Sequence, residues 1–375
     1  MLILACALCA MTLTAGAQNH ERPIKPEVNS NGDVTFVIHA PRADTVRLKI
    51  ESQLDTLMQP GNDGVWHIVI PGLQPDVYRY NFIVDGVKTI DPLNLHLMRD
   101  EGDVKNMLIV DPQGDLPTAV HDVPHGSVNM VWYDSPTLKA KRRMAVYTPP
   151  HYEEGHTRYP VLYLLHGSGG DETAWLVLGR AAQVLDNLIA SGKATPMIVV
   201  MPNGNVDEDA APGETAAGLV TSTDQFEHKM DGEFERSFND IVKWVDSHYR
   251  TRDTKRNRAI AGLSMGGYNS LYISLNQPDD FGYIGLMSAV VERRDNGKSP
   301  IYDDLQGKLV AQSKLHPRLF WIAIGENDFL YKDNVMLREM MDSNRLKYTY
   351  HESDGGHSWR NWRHYLAIFV PMLFK

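Results

Sequence analysis

Between residues 23 and 111, apolar and polar side chains repeatedly trade places at every second position. Val34, Phe36 and Ile38 form one such series, Val46, Leu48 and Ile50 a second, and Tyr78, Tyr80 and Phe82 a third. A period of two puts alternate side chains on the same face of a pleated strand. Turn-forming stretches break the series: NSNGD at 29–33, QPGNDG at 59–64 and VDGVK at 84–88. No helical period of useful length intervenes, so the segment predicts an antiparallel β-sandwich of about ninety residues.

The pattern then changes twice. Residues 113–127 are polar, rich in Pro and Gly and without period, as a linker would be. From residue 128 onward, RRMAVYTPP, PVLYLLHG, PMIVVMPNG, RAIAGLS and FWIAIGEND read as strands, several of them almost continuously apolar. Between them, AAQVLDNLIASG and FERSFNDIVKWVDSHYR carry apolar residues at helical spacing. Such alternation predicts a mostly parallel sheet covered by helices on both faces. The expected organisation is therefore a β domain over 18–112, a linker over 113–127 and an α/β domain over 128–375.

Composition adds a location and removes several chemistries. The chain has 375 residues, 43% hydrophobic and 22% charged, enough for two globular domains. Residues 1–17, MLILACALCAMTLTAGA, are apolar, uncharged and end in small residues. They read as a secretory signal peptide cleaved before Gln18, although a basic leading segment is missing. Lipid attachment at Cys6 is disfavoured because almost no apolar segment precedes it. Cys6 and Cys9 are the only cysteines, so an exported mature chain would have no disulfide, thiol chemistry or cysteine-bound metal. The formal net charge of −10 disfavours nucleic acid and anionic membrane as partners. No later apolar run is long enough to span a bilayer.

The candidate chemistry begins at GLSMG, residues 262–266, which fits the G-x-S-x-G strand-to-helix turn of α/β-hydrolases. Alone it is equally a glycine-rich loop with a solvated serine. The α/β-hydrolase order, however, requires an acid and then a histidine downstream. Glu326 and Asp328 fall just past one strand end, and His357 lies in a glycine-containing loop past the next. Asp328 is preferred to Glu326; His351 and His364 lie within a strand and a helix and read as structural. In this arrangement His357 takes the Ser264 proton as the oxygen attacks an ester carbonyl, and Asp328 fixes the imidazole tautomer. The backbone N–H groups of Met265 and of Ser168, in LLHGSGG at 164–170, are the expected oxyanion donors. That glycine-rich loop lacks the Lys-Ser/Thr of a phosphate-binding motif. No metal or other cofactor is expected.

These motifs carry a resemblance. VLYLLHGSGGDETAW, VVMPNG, AIAGLSMGGYNSL, IGENDFLY and GGHSWRNWRHYL resemble carbohydrate esterase family 1, the branch of α/β-hydrolases that includes feruloyl, acetylxylan and enterochelin-type esterases. FVIHAPRADTVRLKI, GVWHIVIPGLQPDVYRYNFIVDG and DPLN resemble an early-set immunoglobulin-like domain related to family 48 carbohydrate-binding modules. The combination implies an exported, periplasmic or extracellular serine esterase acting on plant cell-wall polysaccharide or oligosaccharide esters, foremost feruloyl groups on arabinoxylan. Acetylxylan and a catecholate siderophore are the alternative substrates, and a carbohydrate-binding protein with an inert hydrolase body is the non-enzymatic alternative. Trp175 and Trp359 fall in motifs near the family's site and either touch substrate or pack. The long stretch 204–232 either walls the acyl pocket or is a surface excursion.

Overall fold

The computed structural model describes residues 26–375 except 101, 217, 219–227, 229 and 296. The expected signal peptide and part of the stretch 204–232 therefore lie outside the described residues.

The N-terminal region forms two antiparallel sheets. One has the order Glu27–Val28, Val34–His39, Val65–Ile70, Gln59–Pro60; the other has Leu54–Leu57, Val46–Ile50, Asp76–Val84, Asp103–Val110, Leu97–Asp100. Val87–Thr89 pairs with Asp76–Val84 off this path. The alternating residues do what their period requires: Val34, Phe36 and Ile38 from the first sheet pack against Val46, Leu48, Tyr80 and Phe82 from the second. Phe36 and Tyr80 meet edge to face at 5.0 Å.

Asp76–Val84 departs from simple alternation, because residues 76–82 are all buried. Tyr78, Tyr80 and Phe82 face the shared core of the two sheets. Val77 instead packs with Met98 against Ala174 and Leu178 of the C-terminal region. The outer face of the second sheet is thus covered by the rest of the chain.

Residues 113–126 form no helix or strand, but they are not a free tether. The Asn187 amide donates to the Pro117 and Ala119 carbonyls at 2.8 and 3.0 Å, and Arg180 Nε donates to Thr118 at 3.0 Å. The Gly126 N–H donates to Asp186 at 2.9 Å. The expected linker is laid along the surface of the C-terminal region.

The C-terminal region is built on one eight-stranded sheet. Its order is Ser127–Ser135, Ala140–Thr148, Ile198–Pro202, Val161–Leu165, Arg258–Leu263, Tyr283–Met287, Leu319–Gly325, Thr349–Ser353. The first two junctions are antiparallel and the remaining five parallel. The sheet is mixed, with its parallel part where the apolar runs are continuous. Val161, Tyr163 and Leu165 face one apolar layer with Phe238, Ile241 and Leu271; Leu162 and Leu164 face the other with Val184, Leu185 and Phe369. Burial on both faces is why these strands lack alternation. The arrangement is that of an α/β-hydrolase core, and Ser264, Asp328 and His357 all follow carboxyl ends of its parallel strands, where such sheets bind ligands.

Candidate active site

Ser264 occupies the turn between strand Arg258–Leu263 and helix Met265–Asn276. Its backbone lies at φ +52° and ψ −115°, a conformation costing a non-glycine residue on the order of 1–3 kcal/mol. Surrounding bonds hold it there. The Ser264 N–H donates to Met287 at 2.9 Å, and its carbonyl accepts from Tyr268 and Val290 at 3.1 and 3.2 Å. The flanking glycines are required by close approach: a Cβ on Gly262 would lie 2.3 Å from the Gly266 carbonyl oxygen. One on Gly266 would lie 2.4 Å from that of His166.

The acid and histidine meet as the chain order requires. His357 Nδ1 lies 3.0 Å from both carboxylate oxygens of Asp328, which also accepts the Leu330 N–H at 2.9 Å. The Asp328 side chain is completely buried, whereas Glu326 is exposed. Phe329 and Trp362 flank the imidazole at 4.4 and 4.9 Å between ring centres. The Asn361 amide fixes the preceding loop by donating to the Asp354 and Gly356 carbonyls, both at 3.0 Å. His351 and His364 pack on each other and on Tyr365.

Ser264 and His357 line a single cavity of about 350 Å³, together with Gly167, Ser168 and Gly170. The glycine-rich loop is stitched in place by His166: its Nδ1 bonds the Gly167 carbonyl at 2.7 Å, and its Nε2 accepts the Gly204 N–H at 2.8 Å. Burial lowers the pKa of His166, which suits a neutral ring with one donor and one acceptor. Met265 opens the helix after Ser264, with its side chain buried. An oxygen nucleophile, a carboxylate-backed imidazole and a glycine-rich backbone turn therefore share one cavity. That combination can perform acyl transfer through a covalent intermediate.

Of the two tryptophans, Trp359 lines this cavity and Trp175 does not. Trp175 is buried, donates Nε1 to the Leu165 carbonyl at 2.9 Å and packs edge-on against Trp359 at 5.3 Å. It supports the wall from behind, so of the two only Trp359 is placed to face a ligand in this cavity. The described part of 204–232 lines a small neighbouring cleft beside Met265 and Asn269 rather than the Ser264 cavity.

Sequence reasoning missed the opposite wall. Glu51 and Ser52, in the turn after Val46–Ile50, and Arg79 and Asp100, on strands of the same N-terminal sheet, line the same cavity. Arg79 Nη1 bonds Glu51 at 3.0 Å and Asp100 at 2.6 Å, and Lys105 reaches Glu51 at 2.5 Å. Burial raises the Asp100 pKa against the pull of Arg79. Nothing in the local sequence marks these residues, since they lie far in the chain from the motifs they face. Also missed was Glu235, fully buried behind the Ser264 helix and bonded by the Tyr302 hydroxyl at 3.0 Å. With its amide oriented to satisfy both partners, Asn269 donates to Glu235 at 3.0 Å and to the Met265 carbonyl at 3.2 Å. Desolvation pushes the Glu235 carboxyl up to about 7.

Among the described residues, no group of three or more His, Cys, Asp or Glu is arranged to hold a metal ion. No helix there is long and apolar enough to cross a membrane.

Fold and site together define an esterase of the serine-hydrolase type on an α/β-hydrolase core. Residues 135–372 match the family described as "Putative esterase", and the chain belongs to that family. It is 33% identical over 282 residues to an endo-1,4-beta-xylanase/feruloyl esterase of Xylanibacter ruminicola, a match covering 73% of this chain and 37% of that protein. The chain thus spans little more than a third of that relative's length. Among solved structures, a ferulic acid esterase matches 66% of this chain and 97% of its own with 26% identity and a TM-score of 0.56. The enterobactin esterase of Shigella flexneri matches 90% of this chain and 92% of its own with 19% identity and a TM-score of 0.65. The last likeness concerns the fold alone, and its extent takes in the N-terminal sheets as well as the hydrolase.

Proposed function

We propose that Ser264 is the nucleophile of an ester hydrolase, with His357 as general base and Asp328 as the acid that orients it. The Met265 and Ser168 N–H groups serve as oxyanion donors, and the substrate is an ester of a hydroxylated aromatic acid. The carrying observation is the two-sided cavity. Phe329, Trp359 and Trp362 offer ring surfaces to an aromatic acyl group, while Glu51, Ser52, Arg79 and Asp100 offer a polar wall. Carboxylates and a serine hydroxyl accept hydrogen bonds from sugar hydroxyls, and Arg79 donates to sugar oxygens. The first reading is therefore feruloyl-type esters of a cell-wall polysaccharide or oligosaccharide, in keeping with the activity named for the Xylanibacter relative.

In the proposed reaction Ser264 Oγ attacks the acyl carbon while its proton passes to His357, and the negative oxygen is met by the two backbone donors. Collapse expels the alcohol, which takes the proton from His357, and water then cleaves the acyl-enzyme by the same route. Export is part of this reading and rests on the apolar residues 1–17. So is an early-set immunoglobulin-like kinship of the N-terminal sheets, which rests on their two-layer antiparallel packing.

A second reading, a catecholate siderophore as substrate, is favoured by the fold likeness to the enterobactin esterase over nine-tenths of the chain. It keeps the hydroxylated aromatic acyl group and changes the alcohol. Glu51 and Asp100 do not oppose an anionic substrate, because Arg79 and Lys105 pair their charges. Rates on methyl ferulate, a feruloylated arabino-oligosaccharide, acetylated xylan and a catecholate trilactone separate the readings. The first predicts the feruloylated oligosaccharide as best substrate by kcat/KM; a higher value on the trilactone or on acetylated xylan would overturn it.

A further inference from the structure

The N-terminal strand Leu97–Asp100 does more than complete a wall. Two adjacent side chains on it reach the two loops that flank Ser264. Arg99 forms an ion pair with Asp171, the residue directly after Gly170 in the glycine-rich loop. Asp171 is 3% exposed, and its Oδ1 accepts the Thr173 N–H and hydroxyl at 2.8 and 2.6 Å. Asp100 lines the Ser264 cavity beside Trp359, two residues past His357, and Trp359 packs with Met98 of the same strand; Arg79 holds Asp100 from its own sheet at 2.6 Å. Met98, fully buried, anchors the strand against Ala174 and Leu178. A third tie lies alongside: Arg363, on the helix that follows His357, donates to Asp76 at 2.9 Å and to the Val77 carbonyl at 2.6 Å.

The sheet fixes the strand ends, but the loops that carry Ser168 and His357 project beyond it. Both loops are tied to a third body, the same short strand. Without Arg99, the buried Asp171 carboxylate would lose its cationic partner, and such a charge pulls its loop toward water. Without the Asp100 carboxylate, the buried Arg79 guanidinium would lose one of its two acidic partners, and the wall beside Trp359 would lose its anchor.

We propose that Arg99 and Asp100 are positioning residues that clamp the oxyanion loop and the histidine loop at their working separation, so that turnover of even a sugar-free ester depends on the N-terminal sheets. This rests on the roles proposed above for Ser168 and His357. It assigns the N-terminal region a part in catalysis beyond contact with the alcohol of the substrate.

The test uses the full chain with Arg99→Gln or Asp100→Asn, and with Arg47→Gln as control. Arg47 pairs with Asp55 on the same sheet and touches neither loop. Active serine is titrated with a fluorophosphonate probe, and kcat per titrated site is measured on 4-nitrophenyl acetate. Either variant is expected to lose about ten- to a hundredfold in kcat per site, the scale of small misplacements of reacting groups. KM should stay within about threefold, as when only transition-state contacts are lost. Arg47→Gln should match wild type, and Arg99→Gln/Asp171→Asn should fall no further than the worse single variant, because both act through one contact. A lower titre with unchanged kcat per site would overturn the clamp, leaving the strand a purely structural role. A wild-type chain that labels elsewhere than Ser264 would overturn the serine assignment and the clamp with it; labelling at Ser264 with undiminished variants overturns the clamp alone.

Discussion

Replacing Glu235 by Gln should change how stability depends on pH, and the size of the change follows from its burial. The carboxyl lies fully buried and is pushed by desolvation from an ordinary 4.5 to about 7. In the native state it therefore keeps its proton up to about pH 7, while in the unfolded chain it releases it near pH 4.5. Between those values the native state binds more protons than the unfolded one, so stability falls as pH rises. At about 1.4 kcal/mol per tenfold difference in proton affinity, the whole loss is about 3 kcal/mol, most of which falls between pH 5 and 8. Glutamine cannot ionise, and its carbonyl oxygen can still accept from Tyr302 and Asn269. Glu235→Gln should thus gain about 2 to 3 kcal/mol on wild type between pH 5 and pH 8, or about 5–10 °C in thermal midpoint for a domain of this size. Equilibrium urea unfolding of both proteins at the two pH values measures this, and other titrating groups cancel in the difference. A wild-type-minus-variant difference that is the same at both pH values would refute the reasoning.

Three further outcomes are expected. Ser264→Ala should keep its circular dichroism and thermal midpoint while ferulate release from methyl ferulate falls by about a thousandfold or more; near-normal release would remove Ser264 from the mechanism. Asp328→Asn should lower kcat by about three to four orders of magnitude while Glu326→Gln stays within about twofold, and a reversed pattern would reassign the acid. Gly266→Ala would bring a Cβ within 2.4 and 2.5 Å of the His166 and Leu165 carbonyl oxygens. It should cost about 2 kcal/mol or more, so a thermal midpoint within about 2 °C of wild type would count against the close-packing account of the turn.

What the sequence made legible was whatever depends on neighbours along the chain. The period of two at Val34, Phe36 and Ile38 specified a one-sided strand, and the unbroken VLYLL at 161–165 specified one buried on both faces. The serine turn was readable because Gly262 and Gly266 have a local steric reason, and His357 and Asp328 because each lies just past a strand end in the required order. Between Asp328 and Glu326, it is Asp328 that pairs with His357 in the folded chain. Trp175 was harder, because an indole beside a site motif looks the same in sequence whether it faces the cavity or, as here, bonds Leu165 behind it.

The wall formed by Glu51, Arg79 and Asp100 illustrates the limit more sharply. On Asp76–Val84 the period of two separates Tyr78, Tyr80 and Phe82 from Val77 and Arg79, and by itself it assigns the second set to solvent. In the folded chain Val77 is buried against Leu178, and Arg79 is 7% exposed, paired with two carboxylates. Burying a guanidinium is tolerable only with such partners in reach, and here they arrive from 28 and 21 residues away. A polar strand face can thus belong to a second core, and its composition then reflects what covers it. In this chain the cover is the mouth of the Ser264 cavity, and so an acidic and basic strand face that looks solvated in the sequence lines that cavity instead.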